Sequence, residues 1–280
     1  MKHFFLYSLI FLSSELFARQ IDEATFSYWN KPDSKIYYSV PESIDENTKI
    51  IFIMHGASRT AEKYINDWLP LVQNRNVVLI APKFSKESFP EYVYLMMSTE
   101  RGKLLRDESL FLTDSLGLLF DFFKSKLKLS TTTFRLYGHS GGSQFVHRYL
   151  LLSDETRIEK VAMANAGFYT FVDRQTSYPF GIKNMNVSDE RIEWLLRLKG
   201  GVFLGDADND PAHHSLPSMR QAKKQGRHRF ERGTNFFNDL IGLGVENNLP
   251  FRWRYQTVPG VAHDNAGMSL AASEFLLEDL

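Results

Sequence analysis

The fold turns on one stretch, Phe134-Arg135-Leu136-Tyr137-Gly138-His139-Ser140-Gly141-Gly142. A short apolar run ends in Gly-x-Ser-x-Gly, and a helix-like segment, Ser143-Gln144-Phe145-Val146-His147-Arg148-Tyr149-Leu150, follows at once. Strand, tight turn and helix in that order are the context in which this motif has chemical meaning. The serine must sit on a sharp, strained turn so that its hydroxyl stands clear of the backbone. Such a turn presses chain segments together, and a Cβ at Gly138 or Gly142 would collide with its neighbours. The helix that follows aims its N-terminal N–H groups back at the serine, where they can stabilise developing negative charge. An ordinary strand-to-helix turn can carry the same pattern, because glycine and serine are good turn and cap residues. The rest of the chain decides, by whether it supplies a base, an acid and a second oxyanion donor.

Working outward, Ile50-Ile51-Phe52-Ile53-Met54 is apolar on both faces, as a buried parallel strand is, and it runs into His55-Gly56-Ala57-Ser58-Arg59-Thr60. Residues 61–73 read as a helix with Tyr64, Trp68 and Leu71 on one side, and Val77-Val78-Leu79-Ile80-Ala81 as a buried strand stopped by Pro82. Residues 109–127 read as a helix whose Leu112, Leu116, Leu119 and Phe123 share a face. Beyond the serine come a strand at Val161-Ala162-Met163-Ala164, a long irregular stretch, and a strand at Gly201-Val202-Phe203-Leu204-Gly205. A helix through Phe236-Phe237-Asn238-Asp239-Leu240, an alternating edge-like strand at 251–256 and a helix at 266–277 close the chain. Near the start, 24–29 and 35–40 read as an antiparallel pair joined by Asn30-Lys31-Pro32-Asp33. Strands alternating with helices predict an α/β fold with a mostly parallel central sheet and helices on both faces. No Pro-, Gly- or Ser-rich linker marks a second domain, so 19–280 is expected to be one.

A serine hydroxyl is a poor nucleophile unless a base takes its proton during attack. Histidine suits that task because its unperturbed pKa is near ~6.5. His263, in Val258-Pro259-Gly260-Val261-Ala262-His263-Asp264, follows the last strand at the end where ligands gather in such sheets. The imidazole in turn needs a carboxylate to fix its tautomer. Gly205-Asp206-Ala207-Asp208-Asn209-Asp210 follows a buried strand and offers three aspartates. The run is not a calcium loop, because Pro211 and Pro217 stand where the glycine and the glutamate would be required. His213-His214 lacks any metal-ligand spacing around it and reads as part of a polar loop, so no metal is expected. For the oxyanion, one N–H comes from Gly141, after the serine, and the other from the loop after the third strand, where Ala57 is the natural donor.

The order Ser, Asp, His, with His55-Gly56 upstream, resembles the α/β-hydrolase superfamily over nearly the whole chain. Within it, the layout is similar to exported bacterial esterases of the polyhydroxybutyrate-depolymerase-like and feruloyl-esterase-like groups, many of which carry disulfides; this chain has no cysteine. The resemblance implies an α/β-hydrolase fold, an acyl-serine mechanism and no cofactor. It also implies a Gly-x-x-Asp pattern at the acid strand, which Gly205-Asp206-Ala207-Asp208 meets with Asp208 as the acid. Asp210 precedes Pro211, which biases it toward an extended conformation leading away.

Three stretches bear on substrate. Phe168 and Tyr169 follow the sixth strand and either wall an acyl or aromatic pocket or pack their loop down onto the core. Residues 177–186, around Tyr178-Pro179-Phe180-Gly181, lie where this fold inserts a lid. Arg220, Lys223, Lys224, Arg227, Arg229 and Arg232 form a basic cluster, either a solvated face or a lure for an anionic substrate.

The 280-residue chain balances 33 Lys+Arg against 33 Asp+Glu, so no global field favours nucleic acid or an anionic membrane. Its first 18 residues run from Met1-Lys2-His3 through the apolar run 4–12, too short to span a bilayer, to small Ala18, the order of a cleaved signal peptide. An uncleaved N-terminal anchor and a first buried element are the alternatives. No stable membrane insertion is expected after signal removal. The absence of cysteine leaves the compartment open. The sequence therefore predicts a periplasmic or secreted serine hydrolase acting on a small or polymeric carboxylic ester. Ser140 is its nucleophile, His263 its base and Asp208 its acid, with the Ala57 and Gly141 N–H groups holding the oxyanion. A peptidase or amidase with the same machinery, and a non-catalytic binding protein of the same fold, are the alternatives.

Overall fold

The computed structural model describes residues 19–280. The expected signal peptide, 1–18, lies outside the described residues.

An eight-stranded sheet runs through the molecule in the order β1-β2-β4-β3-β5-β6-β7-β8. Its strands are β1 (Asp22–Phe26), β2 (Ser34–Ser39), β3 (Lys49–Met54), β4 (Val77–Lys83), β5 (Phe134–His139), β6 (Ile158–Ala164), β7 (Lys199–Gly205) and β8 (Trp253–Val258). The first two are antiparallel to each other, β2 is antiparallel to β4, and the pairings from β4 through β8 are parallel. The helices are α1 (Ala61–Trp68), α2 (Ser115–Lys126), α3 (Gly141–Leu152), α4 (Asp189–Arg197), α5 (Arg220–Lys224), α6 (Arg229–Glu246) and α7 (Asn265–Leu276).

Strand residues alternate between two cores because successive side chains point to opposite faces. Ile51, Ile53, Leu79, Tyr137, Ala162 and Phe203 pack with α1 and α7. Ile50, Phe52, Val78, Leu136, Met163 and Val202 pack on the other face with α2, α3, α4 and α6. Both faces are covered, which is why the central strands read as unbroken apolar runs.

Three elements differ from their sequence reading. The helix expected over 61–73 ends at Trp68 and passes into a 3-10 turn, Leu69–Val72, where Pro70 has no N–H to continue the ladder. The helix expected from 109 begins at Ser115, after two short 3-10 turns. The stretch read as irregular contains α4, capped by Ser188, whose Oγ accepts from the Arg191 N–H at 3.2 Å. Ser188-Asp189-Glu190, a capping serine followed by two acidic residues, has the composition of a helix start.

The parallel strands β3, β5, β6, β7 and β8 end on one edge. The loops that leave them gather there, as ligand-binding loops do in such sheets.

Candidate active site

Ser140 sits between β5 and α3 at φ 57° and ψ −121°, a backbone region that non-glycine residues rarely occupy. Close packing holds it there. A Cβ on Gly138 would lie 2.5 Å from the Gly142 carbonyl oxygen, and one on Gly142 would fall on the carbonyl of Met54. The Ser140 N–H donates to the Ala164 carbonyl at 2.9 Å, which ties the turn to the end of β6. The hydroxyl is left at the surface of a cleft of about 920 Å³.

Ser140 Oγ lies 2.9 Å from His263 Nε2, and His263 Nδ1 lies 2.7 Å from Asp208 Oδ2. Long-range backbone bonds bring these loops together. The Asp206 and Ala207 N–H groups donate to the carbonyls of Val258 and Val261 at 3.3 and 3.1 Å. A Cβ on Gly205 would strike the Val261 carbonyl, so only glycine permits this approach. Asn165, in the left-handed region at φ 46°, accepts from the Gly205 N–H at 3.0 Å and donates to the Ala262 carbonyl at 3.2 Å. Asp264 then caps α7 by accepting from the Gly267 N–H at 2.8 Å.

The three aspartates have separate surroundings. Asp208 is 3% exposed and faces His263. Asp206 accepts from the Gly260 N–H at 2.7 Å, and Asp210 from the Ala212 N–H at 2.8 Å. Behind Asp208, Arg229 Nη1 donates to its other oxygen at 3.2 Å.

The Ala57 amide lies beside Gly141, since a Cβ there would come within 2.7 Å of Ala57 N. Gly141 opens α3, and the first N–H groups of a helix have no acceptor within it. The loop that carries Ala57 is anchored from several sides. The Arg59 N–H closes a turn onto the Gly56 carbonyl at 3.1 Å, and Arg59 Nη1 and Nη2 donate to the carbonyls of Phe84 and Pro90 at 3.0 Å each. The Tyr92 hydroxyl donates to the His55 carbonyl at 3.0 Å. Burial pushes His55 down to about 3, so it is neutral, and its Nε2 accepts from the Phe84 N–H at 3.1 Å. His139 is also neutral. Burial first, and then the charges of His263, Arg229 and Lys63, hold it well below the usual range. Its ring packs 4.8 Å from that of His263, and the Tyr64 hydroxyl lies 3.0 Å from its Nδ1.

Phe168 and Tyr169 do not wall this cleft. Both are fully buried, Phe168 against Phe180 at 4.9 Å and Tyr169 stacked on Phe236 at 4.3 Å. The backbone of the preceding Gly167 reaches the cleft, and the two rings turn away into the core. The stretch 177–186 is not a lid either. Tyr178 is buried, and its hydroxyl donates to the Tyr94 carbonyl at 2.9 Å, beneath a residue that lines the cleft. The walls come instead from Pro90, Val93 and Tyr94 on one side and Leu216, Pro217 and Ser218 on the other. The basic cluster is divided: Arg229 and Arg232 are buried, whereas Arg220, Lys223 and Lys224 are exposed. No group of three or more His, Cys, Asp or Glu side chains set to hold a metal occurs among the described residues.

Sequence reasoning missed Arg229, Asn165 and Arg59 as site residues. Arg229 was read only as one of a surface group. Asn165 and Arg59 had one signal each, a polar residue at the end of a buried strand or just past the His-Gly pair.

An eight-stranded, mostly parallel sheet with such a strained serine turn at its loop-bearing edge defines an α/β hydrolase. Comparison with solved structures agrees. The chain is 32% identical to a poly(aspartic acid) hydrolase-1 from Sphingomonas sp. KT-1, over 91% of this chain and 97% of that one, with a TM-score of 0.85. It is 23% identical to LpqC, a poly(3-hydroxybutyrate) depolymerase from Bordetella parapertussis, over 93% and 91% of the two chains, with a TM-score of 0.83. A ferulic acid esterase from Anaeromyces mucronatus shares the fold at 13% identity, a TM-score of 0.54, and 92% and 89% coverage. The chain matches no family model, and no curated protein sequence matches it. The chain belongs to the α/β-hydrolase superfamily and is a hydrolase.

Proposed function

We propose that this protein is an exported serine hydrolase that cleaves carboxylic esters through an acyl-serine intermediate. The observation that carries the reading is the unbroken chain Ser140 Oγ, His263, Asp208, at 2.9 and 2.7 Å, beside the Ala57 and Gly141 amides. His263 Nε2 takes the Ser140 proton as Oγ attacks the substrate carbonyl carbon, and the carbonyl electrons move onto its oxygen. The two amides hold that oxyanion. As the intermediate collapses, His263 returns the proton to the leaving oxygen. A water then attacks the acyl-serine by the same proton path and releases the acid. Asp208 holds His263 in the tautomer with hydrogen on Nδ1 and stabilises its protonated form. A non-catalytic binder would need none of these groups.

The relative that hydrolyses poly(aspartic acid) favours a second reading, cleavage of an amide bond in an acidic polymer. The same proton path serves an amide, with His263 protonating the leaving nitrogen. Exposed Lys63 and Lys86 on the cleft wall suit anionic flanking groups. Export rests on the basic, apolar, small order of residues 1–18. No described helix is long and apolar enough to cross a membrane.

One preparation tests both parts. The full chain, expressed in a Gram-negative bacterium, is to be recovered from the periplasm or medium and sequenced from its N-terminus. It is then assayed on p-nitrophenyl esters of graded chain length and on poly(aspartic acid). The expected N-terminus is at or near Arg19, with turnover of short esters. Turnover of the polyamide without any ester cleavage would replace the first reading with the second. An intact Met1 in the cytosol would overturn export.

A further inference from the structure

The N-terminal end of a helix carries positive partial charge and favours acidic side chains. At the start of α6 Glu231 meets that preference, whereas Arg229 and Arg232, each 1% exposed, stand against it. Breaches of this kind concentrate where function demands them.

Both guanidinium groups face the cleft machinery. Arg232 Nη1 donates to the carbonyls of Gly167 and Pro217 at 2.6 and 3.0 Å, and its Nε to that of Gly226 at 3.0 Å. Gly167 and Pro217 both line the cleft. Arg229 Nη1 reaches Asp208 Oδ1 at 3.2 Å, while Nη2 donates to Ser215 Oγ at 2.9 Å. Ser215 Oγ in turn lies 3.1 Å from His213 Nδ1, and the His213 ring meets the His263 ring edge-on at 5.5 Å. The contacts close a circuit: Asp208, Arg229, Ser215, His213, His263 and back to Asp208.

We propose that Arg229 is a positioning residue for the Asp208–His263 pair, and that through Ser215 it ties this pair to the cleft wall 213–218. The inference rests on the reading of Asp208 as the residue that orients His263. A carboxylate with one oxygen on histidine can swing about its own axis. Holding Oδ1 on a fixed guanidinium leaves Oδ2 aimed at Nδ1. Arg229 also sets a guanidinium charge beside this buried carboxylate, 3.2 Å from Oδ1. The groups facing the pair are Arg229 from α6, His213 from the wall, His139 from β5 and Tyr169 from the loop after β6. His139 and His213 both sit below the usual histidine range, by burial first, with the charge of Arg229 among the causes.

The test compares Arg229→Gln, Arg229→Lys, Asp208→Asn and the double variant Asp208→Asn/Arg229→Gln on one small neutral ester, with kcat and KM measured separately. Near-UV circular dichroism checks the fold of each. Arg229→Gln should lower kcat by about 10²-fold with little change in KM, as misplaced catalytic groups do. Arg229→Lys should lose only part of kcat, again at unchanged KM. In the Asp208→Asn background, Arg229→Gln should remove little further activity, because the group it acts through is already gone. An unchanged kcat in folded Arg229→Gln would overturn the proposal, as would the same fold-loss in both backgrounds. If Arg229→Gln fails to fold, Arg229→Lys decides: wild-type kcat overturns the proposal, and reduced kcat at unchanged KM supports it. An active Asp208→Asn defeats the triad reading first, and this inference with it.

Discussion

The serine side of the cleft and its Asp208–His263 side are fixed by different means. Ser140 is held by close packing between chain neighbours. Gly138 and Gly142 admit no Cβ, and the strand and helix that set the turn are adjacent in sequence. Asp208 and His263 come from loops 55 residues apart. Polar links that reach across the fold hold them together: Asn165 to Gly205 and Ala262, Arg229 to Asp208, and the backbone bonds between 206–207 and 258–261. The first half is a steric device that can be read locally. The second is an electrostatic one that exists only once the sheet has formed.

The largest effect should separate the aspartates of the second half. Asp208→Asn should lower turnover roughly 10⁴-fold, the scale on which a serine triad depends on its oriented carboxylate. It also strands Arg229 in the interior, so stability should fall by about 3–5 kcal/mol, the range for breaking one side of a buried ion pair. Asp206→Asn alters one bond to the Gly260 N–H at a distance from His263, and its loss in turnover should stay below about tenfold. Kinetics and thermal melts of the two variants measure both. A reversed order would mean that Asp206 serves His263 in the working enzyme.

A smaller effect tests the first half. Gly142→Ala places a Cβ on the Met54 carbonyl, at the base of the loop that carries Ala57. Overpacking of this kind costs about 1–3 kcal/mol. The strain falls on the turn itself, so kcat should drop while KM holds. A variant with wild-type melting temperature and turnover would show that the turn is looser than its packing implies.

The same contrast explains what could be read from sequence. The alternation of strands and helices, the two-faced apolar strands and the glycines around Ser140 are local patterns, and the fold followed from them. Ser140, His263 and Asp208 were named from motif and chain order, and the structure brings their side chains within hydrogen-bond distance. Phe168 and Tyr169 were misplaced because position in a loop does not say which way a ring turns. Here Tyr169 packs against His147 of α3 and Phe236 of α6, and Phe168 against Tyr94 and Phe180. Arg229 and Arg232 were lost in a run of basic residues because nothing in such a run marks which members face inward. The cleft wall at 90–94 carries no motif, since it is built by packing beneath it from Tyr178 and beside it from Arg59.

The proposed reaction turns on Ser140 as the nucleophile. Wild-type protein and Ser140→Ala should be treated with a fluorophosphonate and the adduct mapped by peptide mass spectrometry, with ester turnover measured on the same samples. One adduct on Ser140 is expected, none in Ser140→Ala, and a fall in turnover of roughly 10⁴-fold or more in a variant that remains folded. An adduct on another residue, or folded Ser140→Ala with less than about tenfold loss, would mean that another group attacks the substrate.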